Sequence, residues 1–353
     1  MGASTTAGGA ERPIFIVGFS RSGTSLLRAM LNAHPNIHIS QESAFYQWLA
    51  PDRLRGCDTA AAWLRGYSRT ASFRLLRVSP APALQALPPD LPRAQAGPRA
   101  MPLLLGEKAR RLGRARWGDK TPLHSLRLDA IFRDFPEARV IHVTRHPAGV
   151  ADSLARMPWG CDSGVFNGLL YRRVSEQVRR WGDRVLCLRL EDLVANPQAQ
   201  LERALAHVGE PWSALVLDHA AHTAAADDPP LPWLTPAAAP VSTRARAPGL
   251  SPAELRLVER AAGPALLAEG YAPTPLDSAP GLGAMAAALW RDLSRGARFL
   301  RRLVGEAPPL HPPEAIDAVA QVRFLFQLNP SRAVPPGWRE IPPELMDLLM
   351  KPV

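Results

Sequence analysis

Lysine is scarce in this chain. Lys and Arg together number 42 among 353 residues, yet only Lys108, Lys120 and Lys351 are lysines, so the formal charge of +10 is carried almost wholly by arginine. That charge, with a pI near 10.4, invites a nucleic-acid reading. The arginines are spread along the chain, however, and no zinc-finger or RNP motif accompanies them, so no nucleic-acid partner is expected. A basic surface also suits an anionic nucleotide, an acidic acceptor or an anionic membrane face. Cysteine is scarce too. Cys57, Cys161 and Cys187 lie far apart, without C-x-x-C or Cys/His ligand spacing, which argues against a disulfide framework or a zinc site. Cys187 sits in the apolar run 185–190 and reads as a buried, inert thiol, and the set fits a reducing compartment. The first twelve residues have no apolar signal core. Gly2 and Thr6 match a myristoylation pattern short enough to occur by chance. No uninterrupted apolar run is long enough to span a bilayer, which makes the cytoplasm the expected location. A fixed-period repeat is also missing, which excludes a solenoid.

What is present is alternation of short apolar runs with helical stretches. Residues 14–18 open a Gly/Ser turn and a helix over 25–33. Residues 140–144 open a turn with Pro147 and a helix through Arg156. Residues 185–190 precede the turn Asn196-Pro197 and a helix over 198–207. This pattern predicts an α/β fold, a P-loop-like parallel sheet flanked by helices, with ligands beyond the carboxyl ends of the strands. Residues 50–116 carry a helical piece at 60–67 and a Pro-studded stretch at 80–102, and residues 224–250 are rich in Ala and Pro; both regions read as long loops. The expected organisation is a flexible tail at 1–12, one catalytic domain at 13–275 and a helical C-terminal extension at 276–353.

The segment G-F-S-R-S-G-T-S, from Gly18 to Ser25, follows a strand and begins a helix. Backbone N–H groups and a helix N-terminus there converge on one point, which makes an anion site. The glycine spacing is that of a Walker A loop, but Thr24 stands where the Lys would be, and Arg21 comes earlier. A nucleotide with a shorter 5′ group than a triphosphate fits better. The second strand ends in R-V-I-H-V-T-R-H-P, with Arg145 at its end and Ser153 eight residues on. A guanidinium fork and a hydroxyl suit a phosphate monoester.

R-S-G-T-S-L-L-R-A-M-L-N-A-H-P-N-I with its following Q-E-S, W-G-D-K-T-P, R-V-I-H-V-T-R-H-P with Ser153, and R-L-E-D-L together resemble the sulfotransferases that use 3′-phosphoadenosine-5′-phosphosulfate (PAPS). The likeness is closest to the branch of the tyrosylprotein sulfotransferases and related bacterial enzymes, in patches over roughly 13–275. It implies sulfuryl transfer from PAPS to a hydroxyl or amine acceptor by in-line displacement, without a metal. It assigns Arg21, Ser22, Gly23, Thr24 and Ser25 to the 5′-phosphosulfate, and Arg145 and Ser153 to the 3′-phosphate. Ser242 and Arg244, with Arg246, fall where the family has a loop that closes over the nucleotide. Glu42 is the expected base, with His124 in reserve. Lys120, one of three lysines, is expected to stabilise the leaving oxygen with Arg21. Asp119, Glu191 and Asp192 read as structural, His142 as a core histidine and His146 as part of a turn. A P-loop kinase and a catalytically silent binding module are the alternative readings; the acceptor, whether small molecule, glycan or lipid, has no readable code.

In the extension, Leu282, Met285, Leu289, Leu293, Leu300 and Leu303 fall on one helical face, and Arg291, Arg295, Arg298, Arg301 and Arg302 on the other. Residues 282–304 therefore read as a basic amphipathic helix. Its leucine face either docks on the catalytic domain or a second subunit, or meets an anionic membrane.

Overall fold

In the computed structural model the described residues are 12–222, 231–233, 249–329, 331 and 334–351. Five parallel strands form the centre: β1 (Ile14–Gly18), β2 (Ile37–Ser40), β3 (Arg116–Lys120), β4 (Arg139–Thr144) and β5 (Val185–Arg189), in the order β2-β3-β1-β4-β5. Every residue of β1 is buried, because helices cover both faces and leave its side chains no polar side. Ile14 and Ile16 pack on one face with Ile141, Val143 and Leu188. Phe15 and Val17 pack on the other with Val140. The connecting helices include α1 (Thr24–Asn32), α2 (Pro147–Ala155), α3 (Gly164–Arg179), α4 (Leu190–Ala195) and α5 (Pro197–Val208). Their chemistry is local: Pro147 and Pro197 occupy first helical turns, where no N–H bond is lost, and the Asn196 side chain accepts from Ala199 N–H.

The three strands read from apolar runs are present, as is the extended stretch at 37–40. The chain also holds a strand that periodicity did not show. β3 reads R-W-G-D-K, too polar for an apolar run, yet Trp117, Gly118, Asp119 and Lys120 are all buried between β1 and β2. Residues 50–116 correct the expectation of a long loop. They form short helices at Ala60–Tyr67, Ala71–Leu75, Ala81–Ala86, Ala96–Met101 and Glu107–Arg111. Some prolines there begin helical turns rather than interrupt them, as at Ala81–Ala86 and at Pro102. Cys187 is a second correction: β5 is the sheet edge, so the residue is exposed. Most of 224–250 lies outside the described residues, including Ser242, Arg244 and Arg246.

Beyond the sheet, α6 (Pro252–Ala262) packs against α2 and α3, and α7 (Leu282–Gly305) packs against α3 and α6. The docked face of α7 is offset from the leucine face and shares only its edge, at Met285. Ala288, Asp292 and Gly296, spaced by four, are the buried residues, while Leu282, Trp290 and Leu293 are 91%, 75% and 53% exposed. Small residues let the backbone approach closely: a Cβ on Gly296 would stand 3.3 Å from Ser163 Oγ. The Asp292 carboxylate then accepts from Ser163 Oγ (2.6 Å), Gly164 N–H (2.6 Å) and Val165 N–H (3.1 Å), capping α3 from outside its own segment. Farther on, α8 (Ala318–Gln327) and α9 (Pro343–Met350) share a cluster of buried residues with Ala71 and Met157.

Candidate active site

Three strand ends build the site. After β1 the chain turns through Arg21 (φ 70°) and Gly23 (φ 96°), both left-handed, into the first turn of α1. Glycine is favoured at 23 by the left-handed φ, and a Cβ there would also displace the tip of Leu190, whose Cδ1 would stand at 2.5 Å. Thr24 is buried in that first turn. Ser22 is buried, and its Oγ has no hydrogen-bond partner among the described residues.

After β4, the second strand of the sequence reading, Arg145 leads into α2. Its side chain lies over Gly149, where a Cβ would be 2.8 Å from Arg145 Nε, so the missing side chain makes room for the guanidinium. Arg145 Nη1 donates to the carbonyl of Arg21 (3.3 Å), and Arg21 Nε donates to Ser153 Oγ on α2 (3.1 Å). The loop after β1 and the helix after β4 are therefore joined through the residues expected to hold opposite ends of a nucleotide. Burial first and the Arg145 charge second lower the Arg21 pKa to about 10, and burial likewise lowers that of Arg145. Guanidinium remains protonated at neutral pH, so these shifts mark two cations held together at a cost that an anion would relieve.

After β3, Lys120 is fully buried. Its ammonium donates to Ser25 Oγ in α1 (3.2 Å) and to Glu42 Oε1 (2.6 Å). Burial pushes the Lys120 pKa below its ordinary value, and the Glu42 carboxylate offsets this in part. The Glu42 side chain is 54% exposed, so the ion pair runs from the interior to the mouth of the site.

Residues at the end of β3 fix the segment bearing Glu42. Asp119 Oδ1 accepts from Ser43 N–H (3.2 Å), Thr121 Oγ1 from Ala44 N–H (3.2 Å) and His124 Nε2 from Tyr46 N–H (3.2 Å). Tyr67 Oη donates to the Ser43 carbonyl (2.7 Å). Sequence reading identified Asp119 as structural but gave no sign of Thr121 or Tyr67, whose partners lie 77 and 24 residues away. Asp119 Oδ2 stands 2.9 Å from His124 Nδ1, and both residues are fully buried.

The carboxylates and histidines read as structural have partners within the fold. Glu191 accepts from His146 N–H (3.0 Å) and Tyr271 Oη (2.8 Å), and Asp192 takes a two-point contact from Arg189 (2.7 and 2.8 Å). His146 Nδ1 caps α2 by accepting from Ala148 N–H (3.3 Å). His142 is buried, with Cys187 Sγ at 3.8 Å and Glu269 at 4.0 Å. Their potential ligand atoms lie within 4.8 Å of one another, a grouping that sequence spacing does not reveal.

The chain is similar in sequence to known sulfotransferases. The chain is 26% identical over 246 residues to the omega-hydroxy-beta-dihydromenaquinone-9 sulfotransferase of Mycobacterium tuberculosis, covering 57% of this chain and 63% of that protein. It is 26% identical over 218 residues to the protein-tyrosine sulfotransferase of Drosophila melanogaster, covering 58% of this chain and 40% of that one. The match thus spans less than two thirds of either relative. Among solved structures, the sulfotransferase domain of the Synechococcus PCC 7002 olefin synthase aligns with a TM-score of 0.46 and 20% identity, over 80% of this chain and 95% of that one. The sequence model described as the sulfotransferase family matches residues 13–214, from the residue before β1 to beyond α5. That stretch is more than half of the chain and contains all five strands, both loops and the Lys120–Glu42 pair: the chain belongs to the sulfotransferase family.

Proposed function

We propose that the chain transfers a sulfuryl group from PAPS to a hydroxyl-bearing acceptor, or to an amine. The observation that carries this reading is the contact between two cationic cradles, through Arg21 with Ser153 and Arg145 with the Arg21 carbonyl, beside a buried lysine paired with a half-exposed carboxylate. Two adjoining cationic sites, one at each of two neighbouring strand ends, suit a 3′,5′-bisphosphorylated nucleoside better than a triphosphate. The resident donors fit such a ligand: a helix N-terminus, Thr24 and Ser25 on one side, a guanidinium fork and Ser153 on the other.

In this reaction the acceptor oxygen forms a bond to sulfur while the bond from sulfur to the 5′-phosphate oxygen breaks, and 3′,5′-adenosine bisphosphate leaves. Glu42 takes the acceptor proton. Its exposure gives an acceptor access, and its contact with Lys120 holds it beside the reacting centre. Lys120 and Arg21 stabilise the charge that develops on the sulfuryl and leaving oxygens, from a low-dielectric position that needs little rearrangement. His124 is poorly suited as the base, since Nε2 already accepts from Tyr46 N–H and Nδ1 faces Asp119 in the core. The named acceptors of both relatives, a hydroxylated menaquinone and protein tyrosine, bear hydroxyl groups, which supports the same acceptor chemistry here.

Radiolabelled PAPS incubated with a cell extract, with the labelled product identified by mass, tests the reading together with its nucleotide preference. The expected result is a labelled product and tighter binding of 3′,5′-adenosine bisphosphate than of ATP. Magnesium-dependent ATP consumption with no sulfated product would replace it by a kinase.

A further inference from the structure

The way α7 docks leaves an apolar stripe uncovered. Because Ala288, Asp292 and Gly296 face the domain, Leu282, Leu289, Leu293 and Leu300 lie along one edge of the outer surface. Trp290, with 75% of its surface free, and Val304, with 83%, widen the stripe. On a helix of 100° per residue, these six side chains fall within one arc of roughly 100°. Burying that arc is worth about 25 cal/mol for each Å² removed from water, so its exposure on a folded domain asks for an explanation.

The flank of the stripe supplies one. Arg291, Arg298 and Arg301 are exposed beside it and form no ion pair among the described residues. Arg295 is turned inward to Glu254 (3.0 Å), and Arg302 is occupied by Glu306 (3.2 Å). The sole acidic residue of the helix, Asp292, is consumed in capping α3. The outward surface of α7 is therefore purely cationic beside a continuous apolar arc, with an indole at the border. A protein partner would need matching acidic residues in a row. A bilayer with anionic headgroups offers negative charge and an apolar layer at the depths such a helix presents.

We propose that α7 is an interfacial anchor that lays Leu282, Leu289, Trp290, Leu293, Leu300 and Val304 into an anionic bilayer surface, with Arg291, Arg298 and Arg301 at the headgroups. Among the described residues no helix is long and apolar enough to cross a membrane, so the contact is peripheral. The inference does not depend on the sulfuryl-transfer reading. It gives that reading a preferred acceptor location, because an enzyme held at this surface meets acceptors dissolved in the lipid.

Vesicle co-sedimentation of the full chain tests it. Phosphatidylcholine vesicles are compared with vesicles containing about a third phosphatidylglycerol, alongside the variants Leu289→Glu/Leu293→Glu and Arg291→Gln/Arg298→Gln/Arg301→Gln. All substituted positions are outward, and circular dichroism with thermal unfolding checks that each variant is folded. Wild type is expected to bind the anionic vesicles, with partitioning at least roughly tenfold weaker for either variant and for wild type in high salt. No binding to anionic vesicles, or binding that both variants retain, overturns the proposal. So does a wild-type dimer that the leucine variant converts to monomer without any vesicle binding, which would assign the stripe to a second copy of the chain.

Discussion

Buried polar side chains serve different purposes in the two regions of this molecule. At the strand ends, Arg21 bonds to Ser153 and Arg145 to the Arg21 carbonyl, while Lys120 bonds to Ser25 and Glu42. Charges of one sign crowd together there, and burial moves their pKa values. In the C-terminal extension, buried polar residues bond mainly to backbone. Asp292 caps α3, and Asn329 Nδ2 donates to the carbonyls of Ala155 (3.2 Å) and Met157 (2.9 Å) at the end of α2. The first arrangement stores unfavourable electrostatics that a ligand can relieve, whereas the second closes hydrogen bonds that folding leaves open. Burial of a charge alone therefore does not mark a reacting group. What it faces does.

Substitutions can break this contrast. The largest effect is expected from Glu42→Gln, which should lower turnover by roughly 10²–10⁴ while leaving 3′,5′-adenosine bisphosphate affinity nearly intact. Steady-state sulfuryl transfer with isothermal titration of the nucleotide measures both, and unchanged turnover would move the base elsewhere. In the extension, Asp292→Ala should cost roughly 2 kcal/mol of stability by denaturant titration, since three donors at the start of α3 lose their acceptor, with nucleotide affinity preserved. Asn329→Ala, with a loss of about 1–2 kcal/mol, tests the border of the two regions. It supports the end of the helix that carries Ser153, so a fall in nucleotide affinity as well would show that the extension reaches into the site.

A smaller change sharpens the account of the cradle. Arg145→Lys keeps the charge but removes the planar fork, and should weaken the bisphosphate roughly tenfold while leaving the fold intact. The finest prediction concerns pH. Glu42 raises the Lys120 pKa against the lowering effect of burial, so in Glu42→Gln the ammonium should lose its proton at lower pH. The alkaline decline of nucleotide affinity should then begin at lower pH than in wild type, as read from binding isotherms across that limb.

Much of the site was legible because its chemistry is local. The loop from Gly18 to Ser25 and the pair Arg145 and Ser153 each sit within one strand–turn–helix unit, so residue type and spacing carry the meaning. Lys120 stood out as a rare lysine, but the strand bearing it did not. β3 is held by hydrogen bonds to β1 and β2 and shows no apolar run of its own. Residues 50–116 misled because proline reads as a breaker unless the helical turn it begins is known. The leucine pattern of α7 shows an amphipathic helix but leaves open whether that face docks on the domain or meets something outside it. Periodicity finds an apolar side but cannot tell that small residues and a capping aspartate dock a different one.

By itself, then, the sequence determined the strand–turn–helix units, the turns proposed to bind anions and the identities of the charged groups, since each depends on neighbours within about ten residues. Only the tertiary structure decided that Lys120 meets Glu42 across 78 positions and that Arg21 meets Ser153 across 132. It also decided which side of α7 stays open to solvent. Those contacts are set by strand order and by the closeness that small side chains permit, and both are properties of the packed chain.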